Sequence, residues 1–216
     1  DDTSWTEVQL PSGQQAAAAA LFTQLSGGSN GSTGVTALRY LGVVTTSGNV
    51  YQSQQGAGGW GQWRDLGQPA GLKATSIAGS TASSLTGVLV AWAVIADGKV
   101  VQANVPTDAS ASVSWSTDDG WPAGERAVQL VGASWEHQVP TGGGSTSGGL
   151  WGVITDKGLV YQRYVTASSW DSVPLPQGEE PLAIGGTGQP ASYWGIITTS
   201  GGIFEPSVAQ SAWARV

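Results

Sequence analysis

The chain has 216 residues, only 11% of them charged, with 33 glycines, 11 tryptophans, no cysteine and a formal net charge of −7. That length can bury a core as one domain, residues 1–216. Low charge with many aromatic rings argues against disorder, and the acidic balance against nucleic acid or an anionic membrane surface. Without cysteine there is neither a disulfide framework nor a thiolate metal site.

The sequence starts at Asp1-Asp2 and contains no Met. The expectation is a mature end left by a removed signal peptide, or a trimmed chain, with a secreted or extracellular location and a cytoplasmic one as the alternative. Trp5-Thr-Glu-Val-Gln-Leu-Pro-Ser-Gly13 reads as a short outer strand followed by a turn. The alanine-rich run over residues 14–20 has helix propensity but is too short to hold a helix alone, so it reads as a loop into the next strand. Ala19-Leu-Phe-Thr-Gln-Leu-Ser-Gly27 is an apolar inner strand, and residues 26–36 are a Gly/Ser/Thr loop. Asn30-Gly-Ser32 within it is a turn before it is a glycosylation site.

Tyr40 to Gln52 is a β-hairpin: an apolar strand, a Gly turn at Gly48 and a second strand ending in Gln. Trp60 and the segment Trp63-Arg-Asp-Leu-Gly-Gln-Pro-Ala-Gly71 follow, then a small-residue strand, Ala74-Thr-Ser-Ile-Ala-Gly79. The same order then recurs. Hairpins run over residues 91–102, 150–162 and 193–205, with turn glycines at Gly98, Gly158 and Gly201. Outer Trp segments begin at Trp115, Trp170 and Trp213. Inner strands are Ala127-Val-Gln-Leu-Val-Gly132 and Leu182-Ala-Ile-Gly185. Residues 141–149 read as a Gly/Ser/Thr loop.

A unit of four short strands recurring at roughly 40–60 residues is how a β-propeller blade reads. The expected fold is therefore all-β: one propeller of four-stranded blades, four in number, with five or six as alternatives. Five outer Trp segments for four hairpins lead to the expectation that the N-terminal strand, Trp5 to Leu10, closes the ring.

Leu150-Trp-Gly-Val-Ile-Thr-Asp-Lys-Gly-Leu-Val-Tyr-Gln-Arg163 resembles the core of a tectonin repeat. That family's pattern is a Val-Trp-Gly-Val strand, a turn and an Ile-Tyr-x-Arg strand, preceded by a Trp strand with Pro-x-Gly. The repeats here are longer than the family's, and only Arg163 keeps the basic residue, with Ser53, Ala103 and Pro206 at the matching places. The resemblance implies a propeller that binds glycans; the periodicity implies only the propeller.

The chemistry of sugar recognition suits several residues. An indole ring stacks on the apolar face of a sugar while amide, carboxylate or guanidinium groups fix its hydroxyls. Trp92, Trp151 and Trp194 recur at one strand position, so core packing is their first reading. Trp60, Trp121 and Trp135 are not repeated in every unit and are better candidates for stacking. Trp63 joins them from the outer segments, and Trp135-Glu136-His137 is the most polar of these clusters. Gln52, Gln102, Gln162 and Glu205 end the third strand of each unit. They are either a solvent-side polar position or, with Arg163, one hydrogen-bonding site per blade.

Catalysis is the weaker alternative. Asp118, Asp119, Glu125 and Glu136 are the densest acidic group, and a glycosidase needs two carboxylates about 5–10 Å apart. With His137 the single histidine, there is no histidine cluster for a metal and no nucleophile elbow. The reading is a non-enzymatic lectin that needs no cofactor or metal, with a protein-binding propeller scaffold as the alternative and a glycoside hydrolase ranked below it. Its partners are glycans or glycoconjugates, with neither nucleic acid nor membrane insertion and with a homo-oligomer left open. Weak sites repeated on one ring would gain strength by avidity.

Overall fold

The computed structural model describes residues 7–27, 35–84, 87–106, 108–117, 120–138, 145–186, 194–206 and 213–216. These form an all-β protein of four antiparallel sheets, one per repeat. The first sheet contains β1 (Ala16–Gly27), β2 (Val35–Thr45) and β3 (Val50–Gly56), with a fourth position split into β4 (Gly59–Trp60) and β5 (Arg64–Gly67). The second is β6 (Ala74–Ser84), β7 (Gly87–Ala96), β8 (Lys99–Val105) and β9 (Trp115–Thr117). The third is β10 (Ala127–Gln138), β11 (Ser145–Thr155), β12 (Val160–Tyr164) and β13 (Asp171–Ser172). The fourth is β14 (Pro181–Gly186), β15 (Trp194–Thr198), β16 (Ile203–Pro206) and β17 (Trp213–Arg215).

The order inner strand, Trp strand, Gln strand, outer strand is the one expected, and strand order in space follows the chain. The alanine run is a correction. Ala16 to Ala20 belong to β1 and pair with residues 42–45 of β2, because Ala18 and Ala20 can pack against the core between the first two sheets. Both expected Gly/Ser/Thr loops are also partly strand: residues 26–27 end β1 and residues 35–36 open β2. Residues 145–149 extend β11, and Trp135, Glu136 and His137 lie in β10, paired with Gly148, Ser147 and Thr146. Glycine-rich sequence opposite a regular strand still completes the ladder, because the backbone supplies both donor and acceptor.

Successive sheets pack face to face through three apolar clusters. The first joins Phe22, Tyr40, Val44 and Val50 to Ile77, Trp92, Val94 and Val101. The second joins Ala91, Ala93, Ile95 and Val100 to Trp151, Val153 and Trp170. The third joins Val131, Ile154 and Val160 to Trp194, Ile196 and Phe204. Small residues allow this close approach. A Cβ on Gly42 would lie 2.6 Å from the Trp92 ring, and one on Gly132 would lie 2.1 Å from the carbonyl oxygen of Gly79. Hairpin turns add backbone bonds between neighbouring sheets. Ala74 donates to Gly48 at 3.5 Å and Ala127 to Gly98 at 2.8 Å. Pro181 at the matching place has no N–H to give, so the third and fourth sheets lack this link.

The strand expected over residues 5–10 is not formed at its described part. Residues 7–10 pair with no strand, and the last sheet's fourth strand is its own β17. The Gln9 carbonyl instead accepts the Trp63 indole N–H at 2.7 Å. Residues 1–6, with Trp5, lie outside the described residues.

Gly42→Ala should lower stability by about 1–3 kcal/mol, the usual cost of overfilling a packed core. Gly56→Ala, where a Cβ meets nothing within 4 Å, should be nearly neutral. Urea melts of the two variants, read by tryptophan fluorescence, check the contrast.

Candidate functional site

The third-strand glutamines turn inward. Gln52 is 8% exposed, and its Oε1 accepts the indole N–H of Trp92 from the next sheet. Gln102 repeats this one sheet further on, accepting from Trp151 at 2.9 Å. Its Oε1 also accepts from the Arg163 guanidinium at 2.7 Å, and its amide donates to the Val165 carbonyl at 3.1 Å. Gln162 and Trp194 are buried in the third pair, but no hydrogen bond joins them. Glu205, in β16, is half-buried and pairs with Ala214 across the backbone. Gln52 and Gln102 therefore join sheets, and Gln162 is buried without such a bond. Arg163 is 5% exposed and lies over the Trp170 ring, 5.0 Å from its centre, so it belongs to the same internal cluster.

The candidate rings separate. Trp60 is half-buried in β4, opposite Gln55. Trp63 is half-buried and held by Gln9. Trp121 lies in the turn after β9. Its N–H donates to the Glu125 carbonyl at 2.8 Å, its ring meets Trp170 edge-on at 5.1 Å and Tyr161 at 6.1 Å. This half-buried ring lines a cleft of about 450 Å³ together with Lys99, Thr117, Pro122 and Glu125. The structure thus brings Trp121, Arg163 and Gln102 into one region and leaves Trp60 and Trp63 on the first sheet. Asp118 and Asp119 lie outside the described residues.

Lys99, Thr117 and Glu125 were not singled out as binding residues. Their signal was positional. In the first three sheets the outer strand is followed by a Pro-x-Gly turn, and Pro122-Ala-Gly124 meets Lys157 beside the next sheet's hairpin turn. The Lys157 ammonium donates to the Gly124 carbonyl at 2.7 Å and to the Glu125 carboxylate at 2.9 Å. That hydrogen bond is the main reason the Glu125 carboxyl titrates below its ordinary range and Lys157 above its own. Among the described residues no group of three or more carboxylates and histidines gathers to hold a metal, and no helix is long and apolar enough to cross a membrane.

No family model matches the chain, and no curated protein matches it.

Two measurements follow from these contacts. Gln102→Leu strips the acceptor from an indole and a guanidinium at once and should cost about 2–4 kcal/mol in urea unfolding. Gln162→Leu should cost less, since no bond to Trp194 is lost. The Glu125–Lys157 pair fixes a pH dependence. The folded carboxyl titrates below its unfolded value, so its contribution is present above the unfolded pKa and fades as pH falls through the folded one. The raised Lys157 contributes below its unfolded pKa and loses that term as pH rises through the folded one. The difference in urea midpoint between the wild type and Glu125→Gln should therefore be largest near neutral pH and shrink in acid.

Proposed function

We propose that the four sheets are consecutive blades of a β-propeller of tectonin type, and that the protein is a non-enzymatic lectin. Four like sheets, packed side by side in chain order with small residues on their inner strands, support the blade reading. The observation that carries the glycan reading is the cleft at Trp121. A ring braced edge-on by Trp170 and at a tilt by Tyr161 is a stacking platform held in place. The Thr117 hydroxyl and Lys99 ammonium at the same cleft supply hydrogen-bond donors for sugar hydroxyls. Trp60 is the second platform in this reading. The sheet-joining glutamines then serve recognition only by fixing the frame that carries these rings.

The state of Glu125 supports binding without turnover. A glycosidase acid needs a carboxyl held protonated by a raised pKa, whereas Lys157 pulls this one down. Among the described residues lining the cleft, the carboxylate is Glu125, paired with Lys157 at 2.9 Å.

A glycan array followed by calorimetry tests the reading. A sugar hit should perturb tryptophan fluorescence, and Trp121→Ala should weaken binding about tenfold, the loss of one stacked ring. Lys99→Ala should weaken it less and leave the fold untouched, because Lys99 is exposed. Absence of any carbohydrate binding on array and calorimeter would overturn the lectin proposal.

A further inference from the structure

Among the described residues nothing covers the apolar face of the last sheet. Ile197 and Ile203 are paired neighbours on it and are 44% and 49% exposed. Their counterparts in the first three sheets are Val44 and Val50, Ile95 and Val100, and Ile154 and Val160, all buried against the following sheet. The complementary face of the first sheet is open at its inner strand, while Val43 and Tyr51 further out on it are buried. Leu21, 64% exposed, stands where later sheets have Gly79, Gly132 and Gly186, each of which pairs with the interface Trp of its own sheet. Leu21 pairs with Leu41 instead. Two leucines thus replace a Trp–Gly pair on the one face of this kind that has no preceding sheet.

The polar half of the interface changes at the same two places. Leu41 brings no N–H, and the matching acceptor on the last sheet is Glu205, where the others have Gln52, Gln102 and Gln162. Both the donor and the neutral amide that receives it are missing from the same unmade contact.

The outer edges match as well. Trp213 donates to the Pro174 carbonyl of the preceding sheet, and Trp63 donates to Gln9 in the same manner. Gln14 N–H bonds to Pro11 at 3.1 Å as Glu179 bonds to Pro176 at 3.1 Å, with Gly13 and Gly178 both at positive φ. Residues 9–13 therefore sit on the first sheet as the trailing part of a preceding sheet's outer segment. Trp213–Arg215 with Val216 reproduces the leading part: Val216 donates to Ile203 at 3.0 Å as Val173 donates to Val160 at 2.9 Å.

We infer that the open face of the last sheet docks on the open face of the first sheet of a second copy, head to tail. The contact continues the series of three sheet-on-sheet interfaces, with Ile197 and Ile203 facing Leu21 and Leu41. It is a heterologous interface, so each chain keeps one donor face and one acceptor face. It follows from the sheet packing alone, and its readout is mass, so it stands or falls separately from sugar binding.

Sedimentation of the wild type up to about 100 μM, where a micromolar contact is filled, should show mass rising above that of the monomer. Leu21→Lys and Ile203→Lys change exposed residues, so circular dichroism should show both folded, and each alone should run as a monomer. Mixing them should restore one species of two chains, because one intact pair of faces remains between them. A wild type that stays monomeric throughout, whether or not its own ends meet, overturns the proposal. So does self-association of either single variant, which would mean that like faces meet.

Discussion

An indole N–H carried out of water needs an acceptor, and the frame of this protein is built on meeting that need between sheets. Trp92 and Trp151 each lie on the face of the preceding sheet, and Gln52 and Gln102 on that sheet close the bond. The ring supplies apolar area for the sheet-on-sheet core, while the amide removes the cost of burying the ring's one polar atom. Gly42 makes room for the Trp92 ring. Glycine, indole and amide therefore act together, and replacing any one leaves either a clash, a void or an orphaned donor.

The second interface is the most heavily bonded. Gln102 receives both an indole and a guanidinium, Arg163 lies on Trp170, and the Ser80 hydroxyl donates to the Ala133 carbonyl at 2.7 Å across the inner strands. The Trp121 cleft grows directly from it, because Trp121 packs on Trp170 and Tyr161. The surface proposed for binding is thus held by a heavily bonded contact, so it loses little freedom when a ligand orders it. The third interface is bonded differently: Pro181 removes the turn bond and the Gln162–Trp194 bond is not formed, while the Gln129 amide donates to the Leu182 carbonyl at 2.9 Å and accepts from the Ile184 N–H at 3.1 Å.

The four-sheet plan was legible because each strand carries its own period and each turn its own glycine, both properties of local sequence. Gly48, Gly98, Gly158 and Gly201 all take positive φ, as the hairpins require. The polar partners were harder to read. Gln52, Gln102 and Gln162 end their strands after apolar residues as solvent-facing residues do, yet a polar residue inside is betrayed only by its partner on another sheet. The alanines of β1 misled for a related reason: a short run of alanine is compatible with helix or strand, and the choice was made by pairing with β2. Lys99 and Thr117 could not be read from their own segments, since the cleft forms where a Pro-x-Gly turn meets a different hairpin.

Repetition also explains why departures from the repeat carry more meaning than the repeat itself. Where a residue recurs in every sheet, the frame alone accounts for it. Leu21, Leu41 and Glu205 break the series only at its two ends, and each break removes one half of an interaction whose other half is also gone. A solvent-facing edge would be expected to gain charge on both sides, as exposed sheet faces and edges commonly do. Here the acidic substitution lies on one side, while the other gains two leucines. Exposed apolar residues gathered on a face whose equivalents are interfaces elsewhere in the same molecule mark a contact surface, and the partner whose matching face is on the page is the chain itself.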